Sequence, residues 1–119
     1  MPKLALIVDD NRALAEGLAE ILECEGYQIR VFVDPCLALR EASSFPFDVA
    51  LLDVRMPGMD GVTLQERLMV VQPQARFVLM TAYADEHHIA RALAAGACAV
   101  LTKPVPIELL LRELRGATP

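Results

Sequence analysis

Hydrophobic residues along this chain gather in short continuous runs, each stopped by a polar group. Leu4 to Val8 stops at Asp9-Asp10-Asn11, Val49 to Leu52 at Asp53, Arg76 to Met80 at Thr81-Ala82, and Ala97 to Leu101 at Thr102-Lys103-Pro104. Runs of this length bounded by polar and turn residues predict strands buried on both faces. Tyr27 to Phe32 is different. Tyr27, Ile29 and Val31 alternate with Gln28 and Arg30, which leaves one face less buried and predicts an edge strand.

The segments between the runs carry helical spacing. Leu14, Leu18, Ile21 and Leu22 share one face, and Gly26 is placed to end that helix in a left-handed conformation. Asp34-Pro35 reads as N-cap and first position of a short helix that ends near Ser43-Ser44. Asp60-Gly61 opens a third helix with Leu64, Leu68 and Val71 as its apolar stripe, closed by Pro73. A fourth runs from about Asp85 to Ala95 and stops at Gly96. Its only large apolar residues are Ile89 and Leu93, so it is expected to be the least firmly packed helix. Pro106 opens the last helix, with Ile107, Leu110, Leu111 and Leu114 as its apolar residues.

Strand followed by helix, five times over, predicts an α/β fold: a doubly wound five-stranded parallel sheet with right-handed crossovers and five helices. The edge character of the second strand favours the order 2-1-3-4-5. That order is the one known for flavodoxin-like sheets rather than one the strands dictate unaided. No internal repeat or low-complexity segment is visible.

Composition narrows the function classes. The chain has 119 residues, one domain's worth, and is 55% hydrophobic, which suits a sheet covered on both faces and excludes disorder. No apolar run approaches the roughly 20 residues that span a bilayer, and no secretory signal pattern opens the chain, so a cytoplasmic domain without membrane contact is expected. The net charge of -5 makes it a poor binder of a phosphate backbone, so any nucleic acid contact belongs to another domain. Cys24, Cys36 and Cys98 are odd in number and widely spaced, and are expected to be buried free thiols. His87 and His88 are adjacent rather than at the i, i+4 spacing of helical metal ligands, and read as a solvated helix start.

The polar stops carry the chemistry. In a parallel sheet the carboxyl ends of all strands lie on one edge, where open α/β sheets place their ligands. Asp9, Asp10 and Asp53 therefore converge with Thr81 and Lys103. Taken singly, each has a bland explanation: Asp53 caps a loop, Asp9 or Asp10 caps the first helix, Thr81 caps a turn, and Lys103 is a surface lysine. All of them at strand ends together favour a site. Three crowded carboxylates repel unless one is protonated or a hard cation intervenes, and oxygen ligands with room for water suit magnesium. Lys103 supplies a positive charge for an anion at Asp53. A carboxylate beside a metal and an ammonium can act as a nucleophile toward phosphorus, a transfer that depends mainly on positioning and charge neutralisation.

These residues resemble the receiver domain of bacterial two-component response regulators. The matching stretches are Asp9-Asp10 after Leu-Ile-Val, Leu52-Asp53-Val54-Arg55-Met56-Pro57-Gly58-Met59-Asp60-Gly61, Thr81-Ala82, Ala95-Gly96-Ala97 and Lys103-Pro104, covering about Leu4 to Leu114. The resemblance implies that Asp53 accepts a phosphoryl group from a phosphohistidine on a sensor histidine kinase or phosphotransfer protein. It implies magnesium held by Asp10, Asp53 and the backbone carbonyl of Arg55, with Asp9 acting mostly through water. Lys103 and the Thr81 hydroxyl would each bind a phosphoryl oxygen. The shift of Thr81 would remodel the face made by helix four, strand five and helix five. The implied partners are that kinase or phosphotransfer protein, an output domain or effector protein and, after phosphorylation, a second copy of the chain. Residues 1–119 are expected to be a single receiver domain, free-standing or excised from a longer regulator.

Two departures from the family pattern matter. Three positions before the lysine, where the family carries an aromatic that turns inward with the threonine, stands Val100. Two positions after the acceptor and after the threonine stand Arg55 and Tyr83, both bulky and both near the phosphoryl group in this family. Other readings compete. A phosphatase of the haloacid dehalogenase type needs a second acid two residues after its nucleophile, and Arg55 cannot serve. A flavodoxin-like cofactor binder needs a Gly-, Ser- or Thr-rich phosphate loop after the first strand, where this chain has acids. A receiver-like interaction module that is never phosphorylated would have lost an acid or the lysine, and none is lost.

Overall fold

The structure is a computed structural model that describes residues 3–82 and 86–115. Strands and helices alternate through it: β1 (Leu4–Val8), α1 (Arg12–Cys24), β2 (Gln28–Phe32), α2 (Pro35–Ala42), β3 (Val49–Asp53), α3 (Gly61–Val71), β4 (Arg76–Thr81), α4 (Glu86–Ala95), β5 (Ala99–Thr102) and α5 (Ile107–Arg115). All strand pairs are parallel, in the order β2-β1-β3-β4-β5. The predicted fold class and strand order therefore hold. So does the edge position of β2, where Gln28 and Arg30 are exposed.

Successive side chains of a strand point to opposite faces, so each continuous apolar run serves two cores. Leu6, Val8, Ala50, Leu52, Phe77 and Leu79 pack under α2, α3 and α4, while Ala5, Ile7, Val49, Leu51, Val78 and Met80 pack under α1 and α5. The helices are not held equally. α5 sinks Leu110 and Leu114 completely, contributing about 1.5–3 kcal/mol each. In α4 only Ala92 is fully buried, worth about 0.8 kcal/mol for its one methyl. The weak packing expected of the fourth helix is thus present, with Leu93 47% exposed. Its predicted start at Asp85 lies outside the described residues.

Local signals place the helix ends. Gly26 takes φ 96°, its N–H donates to the Glu23 carbonyl and that of Tyr27 to the Leu22 carbonyl, closing α1 as expected. Asp34 caps α2 by accepting the Cys36 N–H at 2.9 Å, and Asp60 caps α3 by accepting that of Thr63 at 2.8 Å. Neither Asp9 nor Asp10 caps α1. Asn11 does, its side-chain oxygen accepting the Leu14 N–H at 3.1 Å, which leaves both acids facing the sheet edge.

Other expectations need correction. Val71 is 45% exposed, because the buried stripe of α3 is Val62, Leu64, Gln65 and Leu68 and its last turn runs past the core. β5 begins at Ala99 rather than Ala97, since the Ala97 N–H still closes α4 on the Ala92 carbonyl. The cysteines are not buried. Cys24 and Cys36 lie exposed at the ends of α1 and α2, away from the inward stripes, and Cys98 is half-buried. No helix of the described residues is long and apolar enough to cross a membrane.

Gly61 is the most crowded of the described glycines. A Cβ there would overlap the Asp53 carbonyl and lie 3.0 Å from the Val54 Cα. Backbone surrounds it, so nothing can give way. Gly61→Ala is expected to lower stability by about 2 kcal/mol or more in denaturant unfolding. Gly17→Ala, at an exposed α1 position with nothing within 4 Å of its Cβ, should raise it by about 1 kcal/mol.

Candidate functional site

The carboxyl edge of the sheet gathers the predicted residues. Asp53 is the last residue of the central strand and 5% exposed. Asp9 follows β1 directly and is fully buried, while its neighbour Asp10 faces solvent. One carboxylate oxygen from each of Asp9, Asp10 and Asp53 lies within 4.8 Å of the others. Thr81 ends β4 and is 2% exposed. Its carbonyl accepts the Lys103 N–H at 2.8 Å, so the backbone itself fixes lysine and threonine side by side.

Lys103 bridges two acids rather than answering Asp53 alone. Its Nζ donates to Asp9 Oδ2 at 2.9 Å and lies 3.3 Å from Asp53 Oδ1. The other Asp9 oxygen accepts the Asn11 N–H at 2.9 Å, so both Asp9 oxygens have a partner and the group acts as the post that holds the ammonium in place. Sequence reading assigned the lysine to Asp53. The closer partner is 94 residues away in the chain, and only the packing of β5 beyond β4 brings the two within reach.

Three carboxylates crowd one site where the single ammonium reaches two of them, and the electrostatics record the shortfall. Burial pushes the Asp53 carboxyl up, the Asp9 carboxylate adds to this, and Lys103 pulls it back only in part, leaving a pKa of about 6. Lys103 is itself raised: burial works against its charge, but the hydrogen bond to Asp9 and the field of Asp53 outweigh that. The lysine thus stays protonated while Asp53 is a carboxylate under stress. A divalent cation relieves such stress. The donor set fits one, with acid oxygens in reach of one another and the exposed side at Asp10 open to water.

Of the remaining predicted residues, Arg55 is exposed on the turn after β3. Val100 is half-buried in β5, paired with Leu79 and packed in the core beneath α3 and α4. Tyr83 lies outside the described residues. Sequence reasoning missed the supporting role of Gly61, whose N–H donates to the Val54 carbonyl at 2.8 Å and sets α3 directly against the acid-bearing strand. The signal was present as a glycine at the first helical position, where nothing in local capping requires one.

Because the folded-state pKa of Asp53 lies above its ordinary 3.8, the fold is favoured while Asp53 is protonated, and this contribution is lost as pH rises through about 6. Asp53→Asn, which carries no charge at any pH, should therefore stabilise the metal-free domain by about 1–3 kcal/mol near pH 7.5. The gain should shrink toward about pH 4. Thermal melts in chelator at both pH values check this, and an equal gain at both would contradict it.

Comparison with known proteins identifies the arrangement. Residues 5–115 match the profile of the response regulator receiver domain. A response regulator receiver protein of an Anaeromyxobacter species is 40% identical over 106 residues, covering 89% of this chain and 44% of the relative. Sporulation initiation phosphotransferase F of Bacillus subtilis is 33% identical, covering 98% of this chain and 91% of the relative. The chain spans 24% of a third relative, the C4-dicarboxylate transport transcriptional regulatory protein of Rhizobium meliloti. Among solved structures, a CheY-like receiver domain of Methanospirillum hungatei superimposes with a TM-score of 0.91 at 32% identity, over 97% of this chain and 92% of the other. A Burkholderia pseudomallei response regulator with a phosphorylated aspartic acid, a calcium ion and citrate superimposes with a TM-score of 0.89 at 32% identity, over 96% and 67%. A match that runs from the first strand into the last helix leaves one conclusion: the chain belongs to the receiver domains of two-component response regulators, modules of phosphorylation-type signalling.

Proposed function

We propose that this domain is a phosphorylation-operated switch whose acceptor is Asp53. The observation that carries the reading is a buried carboxylate at the end of the central strand, 3.3 Å from a lysine ammonium and within 4.8 Å of two further acids. A phosphohistidine of a sensor histidine kinase or phosphotransfer protein is the donor. An Asp53 oxygen attacks phosphorus, the phosphorus–nitrogen bond breaks, and the imidazole leaves with its electron pair. With a pKa of about 6, Asp53 is mostly ionised at neutral pH and so available as the nucleophile.

Asp10, Asp53 and the backbone carbonyl of Arg55 would hold magnesium, with Asp9 acting mostly through water. The ion's contribution when bound is to offset negative charge on the phosphoryl oxygens. Lys103, steadied by Asp9, binds one phosphoryl oxygen. The Thr81 hydroxyl binds another, and its movement is the start of the change on the α4–β5–α5 face. Val100 has neither the length nor the polar tip to move with it, so Thr81 carries this step without an aromatic partner on β5. Acceptance and loss of the phosphoryl group are the whole of the chemistry, with no turnover of a separate substrate.

Residues 1–119 form one receiver domain that acts on an output domain or effector protein, transcription regulators among them, and on phosphorylation on a second copy of itself. Relatives longer than this chain support that reading, one of them a transcriptional regulatory protein. The acidic balance, with a net charge of -5, argues against nucleic acid contact by this domain.

Acetyl phosphate with magnesium should add one phosphate to the intact mass of the wild type and none to Asp53→Asn, and omission of magnesium should suppress the adduct. An adduct of equal yield in the mutant would refute the acceptor. No adduct in the wild type would favour an interaction module that works unphosphorylated.

The lifetime of the phosphorylated state follows from the rim. By the pattern of the family, water that reaches phosphorus opposite the Asp53 oxygen passes the residues two after the acceptor and two after the threonine, in this sequence Arg55 and Tyr83. An arginine and an aromatic neither admit nor orient it well, and the planar fork of Arg55 suits phosphoryl oxygens. Arg55→Asn combined with Tyr83→Glu should speed phosphate release about tenfold, only about 1.4 kcal/mol of barrier. Equal release rates would show that these side chains do not guard the path.

A further inference from the structure

α4 is seated by polar contacts more than by a core. Ala92 is its one fully buried residue, Ile89 is half-buried and Leu93 is 47% exposed. The buried contact with α3 is itself polar. Gln65 Nε2 donates to the Ala92 carbonyl at 3.2 Å, and Gln65 Oε1 has no partner among the described residues. An unpartnered buried amide oxygen weakens that anchor. Nearer the surface, Arg91 spans the two helices. Its Nη1 lies 3.4 Å from Asp60 Oδ2, and its Nη2 donates to Thr63 Oγ1 at 3.0 Å with Glu66 Oε1 3.6 Å away.

Asp60 is the other end of this link. One of its oxygens caps α3 through the Thr63 N–H while the second takes Arg91. The next residue, Gly61, rests on the backbone of Asp53 and Val54 with no side chain between. A short mechanical path therefore runs from the acceptor's backbone through the start of α3 to the guanidinium of α4. Burial works to raise the Asp60 carboxyl, but the Thr63 N–H and Arg91 outweigh it and hold it below its ordinary value. The clasp is thus charged across the neutral range and is not a pH device.

We infer that Arg91 is a positioning residue for the phosphoacceptor reaction: by gripping Asp60 and Thr63 it ties α4 to the turn that follows Asp53, so the state of the acceptor and the seat of α4 bias one another. The clasp stands on geometry alone, and its functional half rests on the assignment of Asp53 as acceptor. Coupling of this kind is reciprocal, so whatever docks on α4 also shifts the phosphorylation equilibrium. A lysine at 91 would be a poor substitute, because one ammonium lacks the fork that reaches both partners.

Amide hydrogen exchange of the full chain tests this with Arg91→Ala, Asp60→Asn and the double variant. Asparagine keeps the cap of α3 while removing the charge that Arg91 holds. Without phosphodonor, each single variant should speed exchange in Glu86–Ala95 about fivefold or more, and the double variant no further than Arg91→Ala alone, since loss of the arginine already removes its contact with Asp60. With acetyl phosphate and magnesium, the change in α4 exchange seen in the wild type should fall to less than about a third in both variants, while the change in β5 persists. Unaltered basal exchange or fully additive effects would overturn the clasp. A clasp that behaves as described but leaves the phosphorylation response of α4 intact would overturn the positioning role. A wild type that takes up no phosphoryl group would overturn the acceptor assignment instead, and basal exchange would still decide the clasp.

Discussion

One ammonium held between two buried carboxylates organises this domain's working edge. Lys103 reaches Asp9 at 2.9 Å and Asp53 at 3.3 Å, so the ends of the first, third and fifth strands are joined through a single charged group. Removing Asp9 would take away the lysine's nearer partner, and removing the lysine would leave two carboxylates facing each other in a poorly hydrated site. A buried charge that loses its partner is far more costly than an intact pair is stabilising. The sheet order is what makes the arrangement possible, because it sets β1 and β3 side by side with β4 and β5 beyond them. Fold and site are thus mutually dependent. The parallel strands deliver the charges to one edge, and the charges tolerate that crowding only in this register.

Much of this was legible in the sequence, for a physical reason. Apolar runs stopped by acids, a threonine and a lysine mark strand ends, and parallel topology puts all strand ends together. What escaped depends on contacts between elements. The closer partner of Lys103 is Asp9, and nothing local distinguishes it from Asp10 or Asp53. Asn11 took the cap that either acid could have filled, because both acids turn toward the sheet edge. Cys24 and Cys36 read as buried thiols by residue type, yet they fall at helix ends outside the inward stripes. Val71 fits the apolar stripe of α3 by spacing, but the helix outruns the core there. Arg91 gave no sign at all, since its partners sit on another helix.

The helices divide into fixed and adjustable members. α5 is anchored by two buried leucines, and its last turn is tied to the start of β4 where Arg76 Nε donates to the Glu113 carbonyl at 2.9 Å. α3 is locked to β3 by a glycine contact with no slack. α4 has one small buried residue and a set of polar contacts, which are easier to exchange than packed apolar surface. Elements that move in regulation come from the less stable end of a structure, and α4 is the clearest case among the described helices.

The two outer strands have a further consequence. β5 is four residues long, and β2 turns Gln28 and Arg30 to solvent, with the Arg30 guanidinium 4.4 Å from the centre of the Phe45 ring. A short edge and a charged edge both discourage a neighbouring chain from adding a strand. The sheet is therefore a closed interior that resists templating by other copies, even in a cell crowded with parallel sheets of the same order. Association is left to helical faces and loops, surfaces that can change from one regulator to another without exposing the strands to aggregation.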